Sequence, residues 1–318
     1  MLSRVADNLY WMSRYLERAE HTARVMGVQL NLMLEQDPRT SSRRWLRTLG
    51  ALGNSTPVAA NQDPFAPAQI YALRQITGGI ASARENARQV REQISSEMWE
   101  HLNRLFHEVK RIESAGFWTR QPLDFVSTIL ESSHLFQGVT DSTMNHGEGW
   151  QFIQVGRYLE RAMETAMLLD AYHDDLWSKR SRGPLGNEYL EWMGLLRSAT
   201  AFEAYCKVYT ADLTPERILE FLLLNAEFPH SLRFSVESMQ GALRAVQERS
   251  GGARAEALTR LAGRMQATLA YVSVDEILDR GVIPYLQSVQ GECSQLHRML
   301  YSIYVDYSVQ SALADSRR

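Results

Sequence analysis

Cysteine and lysine are the residues this sequence nearly does without. Only Cys206 and Cys293 occur, far apart and without metal-type spacing, which excludes a disulfide framework and suits a reducing cytosol. Lysine stands at Lys110, Lys179 and Lys207 alone, so 31 of the 34 basic residues are arginine. Two readings of that skew are open. It reflects a GC-rich genome, or it marks arginines buried and bidentate on carboxylates, a task the flat guanidinium does better than an ammonium. Long apolar runs are also missing, "FLLL" at Phe221 to Leu224 being typical, which excludes a membrane-spanning helix. The opening "MLSRVADNLYWMSRYLER" is charged throughout, unlike a signal peptide. A net charge of −3 leaves no electrostatic footprint for nucleic acid or an anionic membrane. A soluble, cytoplasmic protein with neither of those partners is expected.

Motifs with chemistry are scarce as well. "ITGGIAS" and "RSGGARA" pair glycines but carry neither a Walker lysine nor a dinucleotide fingerprint. A di-iron bundle needs two Glu-x-x-His motifs. Glu131 to His134 has a counterpart that ends in glutamine, Glu292 to Gln295, and the other such spacing, Glu227 to His230, holds Pro229 inside it. Glu17 with His21 and Glu97 with His101 have one-turn spacing, which eight histidines in a helical chain produce by accident. Neither cysteine sits in a nucleophile motif, and no Ser–His–Asp set is proposed. No metal or cofactor is expected.

What is present is helix, on 45% apolar and 22% charged residues, enough for a sizeable core. From Val5 the apolar positions run Val5, Leu9, Met12, Leu16, Ala19, Ala23, Met26, Leu30 and Met33, stepping four and three. That is one stripe along one long helix, ended by "DPRTSS" at Asp37. "RYLERAEHTAR" from Arg14 returns as "RYLERAMETAM" from Arg157, 143 residues later. The stripe returns with it, as Phe152, Val155, Leu159, Ala162, Ala166, Leu169, His173 and Leu176. "FAPAQIYAL" (Phe65 to Leu73) resembles "EFPHSLRFSV" (Glu227 to Val236), with Pro67 and Pro229 placed to open helices. "ESSHL" at Glu131 resembles "ECSQL" at Glu292. These later offsets exceed the first by about 19 residues, as a single insertion near "KRSRGPLGNEYLEWMGLLRSATAFEAY" would produce. Loops are expected at Gly53–Pro67, Ser114–Asp124, Ser178–Asn187 and Arg249–Arg254, and Thr214-Pro215 reads as a capped helix start. The fold class is all-α: one domain over residues 1–318, a multi-helix bundle of two quasi-repeated halves, about 1–145 and 146–318.

On a helical wheel turning 100° per residue, Glu17 and Arg18 point to different faces and should not pair. Arg14 and Glu17, three apart, can meet. Arg18 shares its side with Trp11, Tyr15, Thr22 and Val25, which is not a plain solvated face. Surface ion pairs worth about 0–1 kcal/mol are one reading. The other is a buried network between helices, in which Glu17 faces arginines of the second copy (Arg157, Arg161) and Glu160 those of the first (Arg14, Arg18). Two further stretches stand out. In "ARENARQVREQ", Arg84, Arg88 and Arg91 follow one side with Glu85 and Glu92 beside it, as on a solvated charged face. In "DSTMNHGEGWQF", Gly147 and Gly149 break polar residues before the second Arg-x-x-Glu-Arg helix, where a helix start can bind a carboxylate or serve as a hinge.

"NLYWMSRYLERAEHTAR", "ARENARQVREQISSEMWEHLN", "GVTDSTMNHGEGWQFIQVGRYLERA" and "LEFLLLNAEFPHSLRFSV" together resemble the bacterial alpha-E family, from about Leu2 to Tyr304. The resemblance implies an all-helical domain carrying a Glu-Arg pair, here Glu17-Arg18 and Glu160-Arg161. It also carries motif positions onto Arg84, Glu85, Asn86 and Arg88, and onto Asp141, Thr143, Glu148 and Trp150. Asn145-His146 departs from the family's basic residue near an acidic one. Members are typically encoded beside a circularly permuted ATP-grasp protein and a transglutaminase-like protein, sometimes with a proteasome-related hydrolase. What this implies is a helical partner or scaffold of an ATP-grasp peptide ligase in peptide synthesis or tagging. An enzyme using Glu17 and Glu160 as acid and base in a shared internal cleft is the alternative.

Overall fold

The computed structural model describes residues 2–33, 38–54, 63–114, 120–176, 186–210, 212–250 and 253–305. Among them are thirteen α-helices and no strand. They are α1 (Ser3–Met33), α2 (Pro38–Ala51), α3 (Phe65–Gln89), α4 (Ser96–Ser114), α5 (Pro122–Thr143) and α6 (Glu148–Leu176). The chain continues through α7 (Gly186–Ser198), α8 (Phe202–Tyr209), α9 (Pro215–Leu224) and α10 (Leu232–Ser250). It ends on α11 (Ala253–Tyr271), α12 (Val274–Arg280) and α13 (Val282–Tyr304).

The stripe read from α1 is the face it buries, Val5 through Met26 lying in the core, while Leu30 is only partly covered and Met33 is 37% exposed. Its second copy, Phe152 to Leu169, is buried along α6. His173 and Leu176 lie outside the residues whose side chains are described, and the Ser178–Asn187 loop lies almost wholly outside the described residues. Burial does not stop at the stripe. Arg14, Glu17, Glu20, His21 and Arg24 on α1 are also inside, as are Arg157, Glu160, Arg161 and Glu164 on α6. Both helices are enclosed on nearly every side.

Contacts between these two helices advance in step. Gly156 abuts Ser13, Arg161 holds Glu17, Glu164 faces His21, and Tyr172 accepts from Gln29. Helices whose contacts climb together run parallel. Around this central pair the same order of neighbours is met twice. α3 covers α1 and α10 covers α6; α4 packs on α3 and α11 on α10; α5 lies on α1 and α13 on α6. The helix after each long one crosses to the other, α2 onto α6 and α7 onto α1. Among the described helices α8, α9 and α12 stand outside this correspondence.

Local expectations fared unevenly. Proline does open α5 at Pro122 and α9 at Pro215, where its missing N–H breaks no helical bond. Thr214 takes the cap position but its side chain caps nothing. Pro229 does not open α10. It sits in the turn before Leu232, which leaves its carbonyl free to accept from Arg161 at 3.2 Å. Arg91 leaves the line of Arg84 and Arg88, because α3 ends at Gln89 and a 3₁₀ turn carries Arg91–Gln93.

Candidate functional site

The center of the molecule is a crossed pair of carboxylates. Glu17 on α1 and Glu160 on α6 are each only 2% exposed. Arg161 forks onto Glu17, donating from Nε to Oε1 at 2.5 Å and from Nη2 to Oε2 at 3.0 Å. Glu160 receives Arg14 Nε on Oε2 at 2.5 Å and Arg18 Nε on Oε1 at 2.6 Å. Each helix's acid is thus neutralised by the other helix's base, as a planar fork on a carboxylate does best. The expected Arg14–Glu17 contact within α1 is absent. Arg161 fills both Glu17 oxygens, and Glu160 offers Arg14 an unshared one.

Aromatic groups complete the cage on the first-copy side. Arg14 Nη1 donates to Tyr10 Oη at 3.0 Å, and its guanidinium stands 4.9 Å from the Trp11 ring center. His297 of α13 joins through Nδ1, 2.8 Å from Tyr10 Oη and stacked on that ring. Nothing near His297 in the sequence marks it; it reaches the motif from 283 residues away. The second copy has no such cage. Arg157 is 6% exposed, yet its one hydrogen bond among the described residues runs from Nη1 to Gln154 Oε1 at 3.4 Å. Of the four motif arginines, it is the one that faces no carboxylate.

One turn further along lies a second buried layer. Arg24 donates to Glu20 at 2.7 Å and to the Ser198 carbonyl at 2.8 Å, and Gln137 donates to Glu20 at 3.0 Å. His134, half of the Glu131-x-x-His134 motif, reaches Glu20 at 3.5 Å. His101 contacts the Ser132 carbonyl instead of a metal-like neighbour. The spacing "ERAEH" and "ERAMETA" puts Glu20, His21 and Glu164 one turn past the motif glutamates; the His21 spacing set down to accident is part of this layer, and Glu20 and Glu164 carried no separate signal.

The buried carboxyls do not all titrate in one direction. Burial alone would raise the Glu160 carboxyl, but Arg14 and Arg18 overturn it and hold the group below its usual range. Burial is likewise overcome at Glu20, where the His134 hydrogen bond and Arg24 bring the carboxyl down to about 2. At Glu164 burial wins. Glu160 and Glu17 add repulsion, and its carboxyl is pushed well above the ordinary value despite Arg18 and Arg24. Burial, then Arg24, lowers the facing His21, 4.0 Å away, to about 3. His21 is therefore neutral at neutral pH, and Glu164 holds its proton to a higher pH than an ordinary carboxyl.

A pH signature follows from Glu164. The folded state keeps a proton that the unfolded chain gives up above about pH 4.3, so this group's contribution falls as pH rises toward its folded pKa. Glu164→Gln, isosteric with the protonated acid, is expected to melt above the wild type by a margin that widens as pH rises from about 5 toward the folded pKa. Thermal denaturation across that range checks it; a margin that is flat or narrows refutes the neutral acid.

The other sequence candidates lie apart from this center. Arg84 donates to Asn103 at 2.8 Å and packs over Phe106, while Glu85 and Arg88 pair with each other on the surface, 50% and 53% exposed. They are a solvated face and brace the α3–α4 corner. Glu148 opens α6, and Asp141 ends α5 with its carboxylate accepting from Trp150 Nε1 at 3.3 Å.

Fold and site together define a class: an all-helical protein whose two longest helices run parallel and exchange Glu–Arg pairs in its core. A family profile described as "a predicted alpha-helical domain with a conserved ER motif" matches residues 1–305, and the chain belongs to this Alpha-E family. Among curated relatives, uncharacterized proteins of Mycobacterium bovis and of Mycobacterium tuberculosis strain CDC 1551 are each 25% identical over 309 residues. A third, from Mycobacterium tuberculosis strain H37Rv, is 24% identical. Each alignment covers 86% of this chain and 34% of the relative, so the chain spans about a third of their length. No solved structure matches. No helix among the described residues is long and apolar enough to cross a membrane.

Proposed function

We propose that this protein is a non-catalytic helical partner of an ATP-grasp peptide ligase, and that its Glu-Arg motifs hold the fold together. One observation carries the structural half of this reading. Every oxygen of Glu17 and Glu160 is occupied by an arginine of the opposite helix, in surroundings 2% exposed. A general acid or base needs a reachable oxygen and a pKa near the working pH. Glu160 has neither, and both oxygens of Glu17 are taken by Arg161, which counts against the acid–base alternative at each carboxylate. The crossed pairs and the doubled order of neighbours are also what two halves descended from one duplicated unit would display, with α8 and α9 as the insertion. The partner half rests on the family: the circularly permuted ATP-grasp protein and the transglutaminase-like protein are the associates it implies. Free cysteines and the bacterial relatives favour a bacterial cytoplasm as the setting.

Co-expression of the chain with the ATP-grasp protein encoded beside it tests the partnership. A complex is expected on gel filtration with the wild type, and it is expected to be lost in the Glu17→Gln, Glu160→Gln double variant together with thermal stability. A wild type that never associates, with any nucleotide present, defeats the partnership. A double variant that stays folded and bound while the system makes no product restores catalysis to the glutamates.

A further inference from the structure

The exchange of Glu–Arg pairs is lopsided, and the lopsidedness leads to a cleft. Arg14 and Arg18 both serve Glu160, but Arg161 alone serves Glu17. Arg157, the counterpart of Arg14, is left over. An arginine more than nine-tenths buried without an anion is costly, so a retained one calls for a partner. Beside it, Gln154 is 4% exposed, gives its Oε1 to Arg157 and leaves its buried Nε2 with no acceptor. Both residues line a cavity of about 550 Å³ between the start of α6 and the middle of α10. This volume is in the range of small-ligand pockets.

We infer that this cleft binds the carboxylate of a small organic ligand, with Arg157 and Gln154 Nε2 as the donors at its floor. The charge balance selects the anion. Among the described residues Arg157 is the one arginine or lysine lining the cleft, His146 stands beside it, and Asp141 brings a negative charge to its rim. One net donor site of this kind suits a singly charged carboxylate and opposes a phosphate dianion. The walls select a ligand with carbon behind its charge. His146 and Trp150 stack at 4.2 Å with rings 19° apart, held in place because His146 Nε2 donates to the Asp141 carbonyl and Trp150 Nε1 to its carboxylate. Tyr158 and Ala242 continue the apolar side, and Ser238 supplies a further polar group on α10. A peptide end or an acidic side chain carries the same carboxylate. The site needs no partner protein and is independent of the partnership proposed above.

Titration calorimetry on the isolated chain decides it, with N-acetyl-Ala-Ala, its C-terminal amide, N-acetyl-glutamate amide and inorganic phosphate as probes. N-acetyl-Ala-Ala is expected to bind at millimolar concentration and its amide at least about tenfold more weakly, the loss of one charge-assisted contact. The side-chain carboxylate binding in its place would keep the site and change its source. Arg157→Gln is expected to weaken binding by about tenfold or more. Gly241→Leu is the second variant. A Cβ at Gly241 meets nothing within 4 Å, so leucine there fills the cleft without disturbing the helices, and binding is expected to vanish in a protein that melts no lower. Acid and amide binding alike, phosphate binding alone, no probe binding at all, or full affinity in folded Arg157→Gln would each overturn the site.

Discussion

Glu160→Gln is expected to destabilise the fold by about 3–5 kcal/mol, the range for removing one partner from a buried ion pair. The substitution keeps shape and removes only charge, so packing loss does not contribute. It leaves Arg14, with 9% of its side chain exposed, beside an amide that offers one acceptor oxygen where two guanidinium groups had each taken one. One arginine then faces an N–H₂ donor, and Arg14 cannot swing to water without dismantling the Tyr10–His297 cage, whereas Arg18 already has 34% of its side chain exposed. At roughly 2–4 °C per kcal/mol for a chain of this class, the melting temperature should fall by on the order of 10 °C. Glu17→Gln should cost less, because Glu17 holds one arginine and Arg161 keeps its Pro229 contact. Replacing Glu17 and Arg161 together by apolar residues should be milder than either single change, since no unpaired charge remains. Chemical denaturation of the four proteins supplies the comparison. A Glu160→Gln loss below about 1 kcal/mol would return these pairs to the rank of surface bridges.

The crossed pairing was legible because the repeat carries acid and base together. A helix that brings Arg, Glu and Arg in one pentapeptide, twice, can satisfy itself only by exchange when its copies lie side by side. Wheel geometry had already ruled out Glu17–Arg18. It could not rule on Arg14–Glu17, because that choice depends on whether another helix offers a better acceptor. His297 and Ser198 were illegible for the same reason, since long-range contacts leave no periodicity. Of the two readings of the arginine excess, buried guanidinium groups are at least present, and Arg44 and Arg47, both paired with Glu191, extend them beyond the motif. The charged "ARENAR" stretch looks equally dense in sequence, yet its ions meet water. Charge density alone does not separate a buried network from a wet face; whether a second helix closes over the charges does. Asymmetry was the harder signal. Ile153 and Gln154 stand where the first copy has Tyr10 and Trp11, so the second copy cannot cage its arginine, and that difference was open to inspection in the sequence.

Gly156→Ala should be the most damaging small substitution in the chain, costing about 3 kcal/mol or more. The added Cβ would lie 2.1 Å from Ser13 Oγ and 2.4 Å from the Tyr10 carbonyl oxygen. The serine hydroxyl can rotate away, but the carbonyl belongs to the α1 backbone and moves only if the helix does. Pushing α1 from α6 by even an ångström stretches the Arg14–Glu160 and Arg161–Glu17 contacts, which lie one turn from this crossing and stand at 2.5 Å. Steric and electrostatic costs therefore fall on one substitution. Ser13→Ala in the same chain should restore only part of the loss, because it clears the hydroxyl and leaves the carbonyl. Gly263 provides the control, a helical glycine whose Cβ would meet nothing within 4 Å; alanine there should be stabilising by up to about 1 kcal/mol on helix propensity alone. Urea midpoints for Gly156→Ala and Gly263→Ala should therefore move in opposite directions. Equal midpoints would mean that the two long helices are not in backbone contact, and that the exchanged carboxylates are held by side-chain reach alone.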